Sequence, residues 1–286
     1  MVSIHNHFGG TRWLHLWNLI KQSIKSPDNE KYIYQAQASG HNPDRYQADM
    51  QRFFYHTSHN LKSSVSRVNG LVELLKVDNR KDMSKQYLGK IDQEVKQMNK
   101  MLGKLQIIND IAKCEEEEQV CQMEQIINRV LGKYQNYITE KNIFIRIYAE
   151  EDYAIRCKES LVFWALDNLI ENAIIFSRPI VIEQSYIEIS LSEANGQLKI
   201  MLEDNGEGIR KESQERVKEL FYRDSLRSEG GGIGLYVVDE CIKKLNGSIR
   251  MQSEMACYTR FELTLPKLMH VQSSIKKTHE KESHNV

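Results

Sequence analysis

The chain has 286 residues, 39 Lys plus Arg against 39 Asp plus Glu, and 41% hydrophobic content. That balance suits a soluble globular protein with one large domain or two small ones, and the absence of a basic excess argues against a nucleic-acid binder. No apolar run approaches the roughly 20 residues of a bilayer span, and the first residues lack the basic-then-apolar order of a signal peptide, so a cytoplasmic chain is expected. The five cysteines are odd in number and contain no CxxC, which predicts reduced thiols packed as small hydrophobes.

Residues 1–42 form an N-terminal segment to which the sequence assigns no role, with Trp13 to Ile24 as a short amphipathic helix. From Pro43 to Leu75 the pattern is helical: Phe54, Ser58, Leu61, Val65, Val68, Val72 and Leu75 step by four and three. A break at Lys76 to Lys81 follows, with Asp82 or Ser84 as the expected cap. The seam resumes with Leu88, Ile91, Val95, Met98, Leu102, Leu105, Asn109 and Ala112. Two long helices with a short connector predict an antiparallel hairpin over 43–113. One apolar seam per helix is poorly buried by a single hairpin; a homodimeric four-helix bundle would cover it, and the alternative is a monomeric hairpin packed on the rest of the chain.

Residues 114–120, with four consecutive glutamates, read as a linker. The pattern then changes to α+β. Met123 to Lys133 and Leu161 to Phe176 read as helices and Ile143 to Ala149 as a strand. Tyr186 to Leu191 and Leu198 to Glu203 alternate like antiparallel strands joined through Asn195-Gly196. Gly234 to Leu245 reads as a helix ending at Asn246-Gly247, and Ser248 to Ser253 with Tyr258 to Leu265 as a closing hairpin. Residues 267–286 are polar and predict a disordered tail.

The chemistry concentrates between residues 168 and 235. Asn168 and Asn172, four apart, share one helix face, where amide oxygens can ligate magnesium and touch phosphates. Asp204 then precedes Gly206, Gly208 and Ile209. A second run, Gly230, Gly231, Gly232, Ile233, Gly234 and Leu235, opens the next helix. Six of the chain's 15 glycines lie between Gly206 and Gly234. Glycine lets backbone amides approach phosphates, and an aspartate ahead of it can accept a hydrogen bond from a base amino group. The order points to a nucleotide held between two glycine hinges. On the first long helix, His59 falls one residue after the seam position Ser58, so its ring points off the core face. A neutral imidazole there is a competent nucleophile near pH 7. His56 is its local competitor.

The segments NLIENA, DNGEGI, LFYR and GGGIGLYVV resemble the N, G1, F and G2 boxes of sensor histidine kinases, which share an ATPase superfamily with gyrase, a heat-shock chaperone and MutL. Ser58-His59-Asn60-Leu61-Lys62-Ser63 resembles the H box of the same family, and the closing hairpin resembles its final strands. The resemblance runs from about Asp44 to Pro266. It implies a helical hairpin dimerising into a four-helix bundle, followed over 121–266 by a two-layer α/β sandwich that binds ATP. It implies Mg-ATP as phosphoryl donor, His59 as acceptor and a response-regulator receiver domain as partner. By the same resemblance Asn172 would hold magnesium, Asn168 would support the phosphates and Phe176 would pack near the adenine. Asp204 would bind the adenine amino group. Gly206, Gly208 and Ile209 would open a lid that Gly230, Gly232, Ile233, Gly234 and Leu235 close, with Arg223 neutralising the γ-phosphate. Asn60 and Ser63 fall at positions the family uses to assist transfer and dephosphorylation. Five positions depart from the pattern: Asn60 replaces an acidic residue, Ser63 a threonine or asparagine, Ser64 a proline, Ile175 a lysine and Lys218 a phenylalanine. Asn60, Ile175 and Lys218 leave a second class open, a non-catalytic ATP-binding dimeric scaffold or phosphotransfer module. Against an ATPase of the wider superfamily, position 168 is Asn where those enzymes place a water-activating Glu.

Overall fold

The computed structural model describes residues 43–78, 80–178, 184–220, 222, 232–266 and 268–269. The expected helix at Trp13 to Ile24 lies outside them. By compactness the chain divides between Asn60 and Leu61. The first unit contributes the beginning of helix α1, Pro43–Val77, on which His59 is exposed and Ser58 and Asn60 are half-buried.

The second unit holds the rest of α1, helix α2 (Lys81–Lys113) and the α/β part. The connector is held by Asp78, whose carboxylate accepts from the Arg80 backbone N–H at 3.1 Å and from its guanidinium at 2.9 and 2.7 Å. Neither Asp82 nor Ser84 caps α2: the N-cap is Arg80 without a side-chain cap, and the Ser84 hydroxyl donates back to the Arg80 carbonyl. Arg67 on α1 forks onto Glu94 on α2 at 2.6 and 2.8 Å, and donates to the Ser63 and Ser64 hydroxyls.

α2 has two apolar faces where the heptad pattern predicted one. Leu88, Val95 and Leu102, seven apart, are 58%, 39% and 48% exposed. Met101, Lys104 and Ile111 are buried against the α/β part.

That part begins with β1 (Gln119–Gln122), α3 (Met123–Lys133), α4 (Gln135–Glu140), β2 (Phe144–Ala149) and β3 (Ala154–Cys157). Next come α5 (Glu159–Ile175), β4 (Tyr186–Ala194), β5 (Gln197–Asp204) and a 3₁₀ turn at Lys211–Ser213. It closes with α6 (Gly234–Lys244), β6 (Ser248–Glu254), β7 (Tyr258–Pro266) and β8 (Leu268–Met269). The main sheet runs β2-β4-β5-β7-β6, with β2 parallel to β4 and the rest antiparallel. A small sheet runs β1-β3-β8. Two expectations shift accordingly. The linker yields to strand pairing from Gln119, and Leu268–Met269, expected in the disordered tail, pairs with Ala154 and Ile155.

Alternation fixes which sheet face is buried. Ile187, Ile189 and Leu191 lie opposite Asp204, Leu202 and Ile200, and Leu202, Ile200 and Leu198 lie opposite Phe261, Leu263 and Leu265. All nine of these apolar side chains are buried, under a helical layer that includes Ile127, Leu166, Ile170, Val237 and Val238. Each fully buried Leu or Ile contributes about 1.5–3 kcal/mol. Asn195 and Gly196 turn β4 into β5 with φ of 55° and 72°, the positive pair that a two-residue hairpin needs. α6 ends as its sequence predicts: Asn246 adopts φ 55°, its N–H bonds to the Lys243 carbonyl, and the Gly247 N–H reaches the Ile242 carbonyl.

Candidate functional site

A cavity of about 280 Å³ opens between α5, α6, α2 and the loop after β5. Its floor is the edge of the sheet where β5 ends and β7 begins. Asp204 closes β5, pairs in register with Thr259 on β7, and is buried. Its Oδ1 accepts the Gly206 N–H at 2.9 Å. Burial raises its pKa to about 7, against the lowering effect of that hydrogen bond. Asn205 latches the strand ends: its Oδ1 accepts the Tyr186 N–H at 2.8 Å and its Nδ2 donates to the Gln184 carbonyl at 2.9 Å.

The following loop is held on both sides. The Phe176 carbonyl accepts the Glu207 N–H, and the Glu207 carbonyl accepts the Ala256 N–H. Ile209 N–H donates to Ser253 Oγ at 2.8 Å. A Cβ at Gly206 would lie 2.6 Å from Asp204 Oδ1 and 2.7 Å from the Phe176 carbonyl. Gly208 has φ 71°, and a Cβ there would collide with the Glu254 carbonyl. Both positions require glycine for this loop to cross the pocket floor.

At the other end α5 presents Asn168 and Asn172 one turn apart. Asn168 is buried; its Nδ2 donates to the Trp164 carbonyl at 2.9 Å, which aims Oδ1 inward, where it accepts no hydrogen bond. Gly234 opens α6 opposite. A Cβ built there would lie 3.3 Å from Asn168 Oδ1, 3.6 Å from Asn172 Oδ1 and 3.4 Å from the Lys104 ammonium. A helix N-terminus, two amide oxygens and a cation therefore share one small volume, as a phosphate with a divalent cation requires. The buried acceptor Asp204 at one end and the orphaned amide oxygen at the other fit an adenine nucleotide.

The structure thus brings Asn172, Phe176, Asp204, Gly208, Ile209, Gly232, Gly234 and Leu235 to one cavity wall. Gly206 lies beneath it, and Ile233 is buried at the α6 N-cap. Gly230 and Arg223 lie outside the described residues, as does the phenylalanine of the F box, Phe221. His59 and Asn60 belong to the other compact unit. Ser63 lies on α1, its hydroxyl held by Arg67 at 2.7 Å. Sequence reasoning passed over Lys104, Glu171 and Thr259, which also line the cavity. Lys218, at an expected phenylalanine, donates to the Ile249 carbonyl at 3.1 Å and ties its loop to β6.

Two family models match the chain in order: the His Kinase A phospho-acceptor domain over residues 49–113, and the histidine kinase-, DNA gyrase B- and HSP90-like ATPase over 157–269. The chain carries a sensor histidine kinase core. The second model implies ATP binding. The heme sensor protein HssS of Staphylococcus saprophyticus is 26% identical over 221 residues, covering 76% of this chain and 47% of that protein. The sensor-like histidine kinase SenX3 of Mycolicibacterium smegmatis is 29% identical over 230 residues, covering 78% and 59%. The chain therefore spans about half the length of the curated relatives it matches. In fold, the core resembles the Acinetobacter baumannii histidine kinase AdeS (TM-score 0.58, 17% identity, 73% of this chain and 97% of that one). It also resembles the histidine kinase ThkA, solved in complex with the response regulator TrrA (TM-score 0.62, 16% identity, 83% and 67%). Among the described residues no helix is long and apolar enough to cross a membrane. All five cysteines are free thiols; Cys121, Cys157 and Cys241 are buried, whereas Cys114 is half-buried and Cys257 is exposed rather than packed.

Proposed function

We propose that this chain is the catalytic core of a two-component kinase that transfers the γ-phosphoryl group of ATP to His59 and then to an aspartate of a response-regulator receiver domain. The bond from the γ-phosphorus to the β,γ-bridging oxygen breaks, ADP leaves, and a phosphorus–nitrogen bond forms on the imidazole. Such transfer is mostly positioning and charge neutralisation. Asp204 accepts the adenine amino group, Phe176 flanks the base, and the α6 N-terminus from Gly234 meets phosphate oxygens. Gly206, Gly208 and Ile209 open the lid, and Gly230, Gly232, Ile233 and Leu235 close it. Asn172 would hold a magnesium ion, with Asn168 beside it, and that ion would supply charge neutralisation. Arg223 adds a further cation, Asn60 orients the His59 ring, and Ser63 positions water for dephosphorylation of the partner.

The observation that carries this reading is the union, in one chain and in this order, of a phospho-acceptor match spanning His59 and an ATPase match spanning Asp204 and Gly234. Dimerisation is part of the same reading. The exposed row Leu88, Val95 and Leu102 is the heptad seam that a second copy would cover. Label from γ-labelled ATP is expected to be stable in base, labile in acid and chased onto a receiver domain. Label that is stable in acid contradicts the phosphohistidine chemistry. The scaffold reading draws on Asn60, Ile175 and Lys218, and predicts nucleotide binding with no label at all.

A further inference from the structure

Lys104 is foreign to the nucleotide motifs. It sits on α2, the second helix of the hairpin, yet it is 8% exposed and lines the cavity. Its ammonium shares the volume around Gly234 with the amide oxygens of Asn168 and Asn172. It donates to the Glu171 carboxylate at 2.6 Å, and Lys100 pairs with the other oxygen of that carboxylate at 3.0 Å. Glu171 immediately precedes Asn172 and lines the same cavity. Burial lowers the Lys104 pKa against the pull of Glu171. Burial also opposes ionisation of Glu171, but the two ammonium groups outweigh it and hold the carboxyl below its usual range. A buried pair of this kind adds little net stability, because desolvation offsets the attraction.

The pocket's own helix supplies no cation here, since Ile175 stands where a lysine is expected. Arg210, another cation lining the cavity, follows Gly208 and Ile209 in the loop beyond Asp204. We propose that Lys104 is the phosphate-gripping cation of this pocket, held in reserve by Glu171 and passed to the phosphate chain of a bound nucleotide. This rests on the nucleotide reading given above. A phosphate chain carries more negative charge than one carboxylate, and Lys100 remains on Glu171 when Lys104 leaves it. Because Lys104 belongs to the hairpin, occupancy of the pocket loosens one of the ties between α2 and α5.

Equilibrium binding of Mg-ATP and of adenosine to the full chain tests this, with Lys104→Met, Lys104→Arg, Glu171→Gln and the Lys104→Met/Glu171→Gln double variant. Lys104→Met is expected to weaken ATP about tenfold or more, the loss of one charge-assisted hydrogen bond, while adenosine stays within about twofold. Lys104→Arg retains most of the ATP affinity. Glu171→Gln releases the ammonium and tightens ATP several-fold, and that gain is absent in the double variant. A pair that only joins two helices predicts instead that both single changes act in the same direction, and that result overturns the proposal. So does a Lys104→Met variant that binds ATP as wild type does, or one that loses ATP and adenosine in equal proportion. A wild-type chain that binds neither ligand overturns the nucleotide reading itself, and the role of Lys104 with it.

Discussion

Asp204→Asn is expected to make the protein more stable and to weaken its hold on adenine. Folding moves this carboxyl from an ordinary 3.8 to about 7, because burial disfavours its charge. The unfolded chain therefore releases the proton first, and Asp204 lowers stability as the pH climbs from 3.8 toward 7. The whole cost is present above 7, and it amounts to about 4 kcal/mol at 1.36 kcal/mol per pH unit. Asparagine carries no such charge and keeps an acceptor for the Gly206 N–H, but it adds an amide NH₂ that needs a partner. The net gain at pH 8 is accordingly about 1–3 kcal/mol. Between pH 8 and pH 5 wild-type Asp204 takes up its proton, and the difference moves by about 3 kcal/mol toward wild type, which removes or reverses the variant's advantage. Urea unfolding of both proteins at the two pH values measures this. A variant less stable than wild type at pH 8, or a difference independent of pH, refutes the reasoning. In the same preparations adenosine affinity should fall about 10- to 100-fold in the variant, and in wild type it should weaken as the pH falls through about 7, since the carboxylate is the better acceptor.

Gly208→Ala places a Cβ against the Glu254 carbonyl at φ 71°. We expect a loss of at least about 2 kcal/mol of stability by urea unfolding, and loss of nucleotide binding from the displaced loop. Val95→Asp with Leu102→Asp alters two exposed side chains, so within one copy each costs no more than about 0.5 kcal/mol. Sedimentation should nonetheless shift from dimer to monomer, and an unchanged dimer would place the interface elsewhere.

Much of the site was legible because glycine and asparagine spacing reports backbone geometry directly. Gly208 and Gly206 are needed where the chain crosses its own backbone, and no neighbour is required to see that. The alternating strands and the Asn195-Gly196 turn were legible for the same local reason. Pairings between distant segments were not. Gln119–Gln122 and Ala154–Cys157 are four residues each, and only their mutual register makes them strands. Leu268–Met269 completes that sheet from a stretch whose polarity suggested a tail. The hairpin misled in a different way. A heptad seam identifies one apolar face, but α2 buries a second, and Lys104 on it reads as an ordinary solvated lysine until Glu171 and Asn172 are seen beside it. Asn205 was read within a nucleotide motif, whereas its side chain is spent on the backbone at Gln184 and Tyr186.

The claim that matters most is that phosphate from ATP arrives on His59. The direct measurement compares wild type, His59→Gln and His56→Gln incubated with ATP labelled at either the γ or the α position. We predict acid-labile label from the γ position alone, retained in His56→Gln and absent in His59→Gln while ATP affinity is unchanged. Label that persists in His59→Gln contradicts the account.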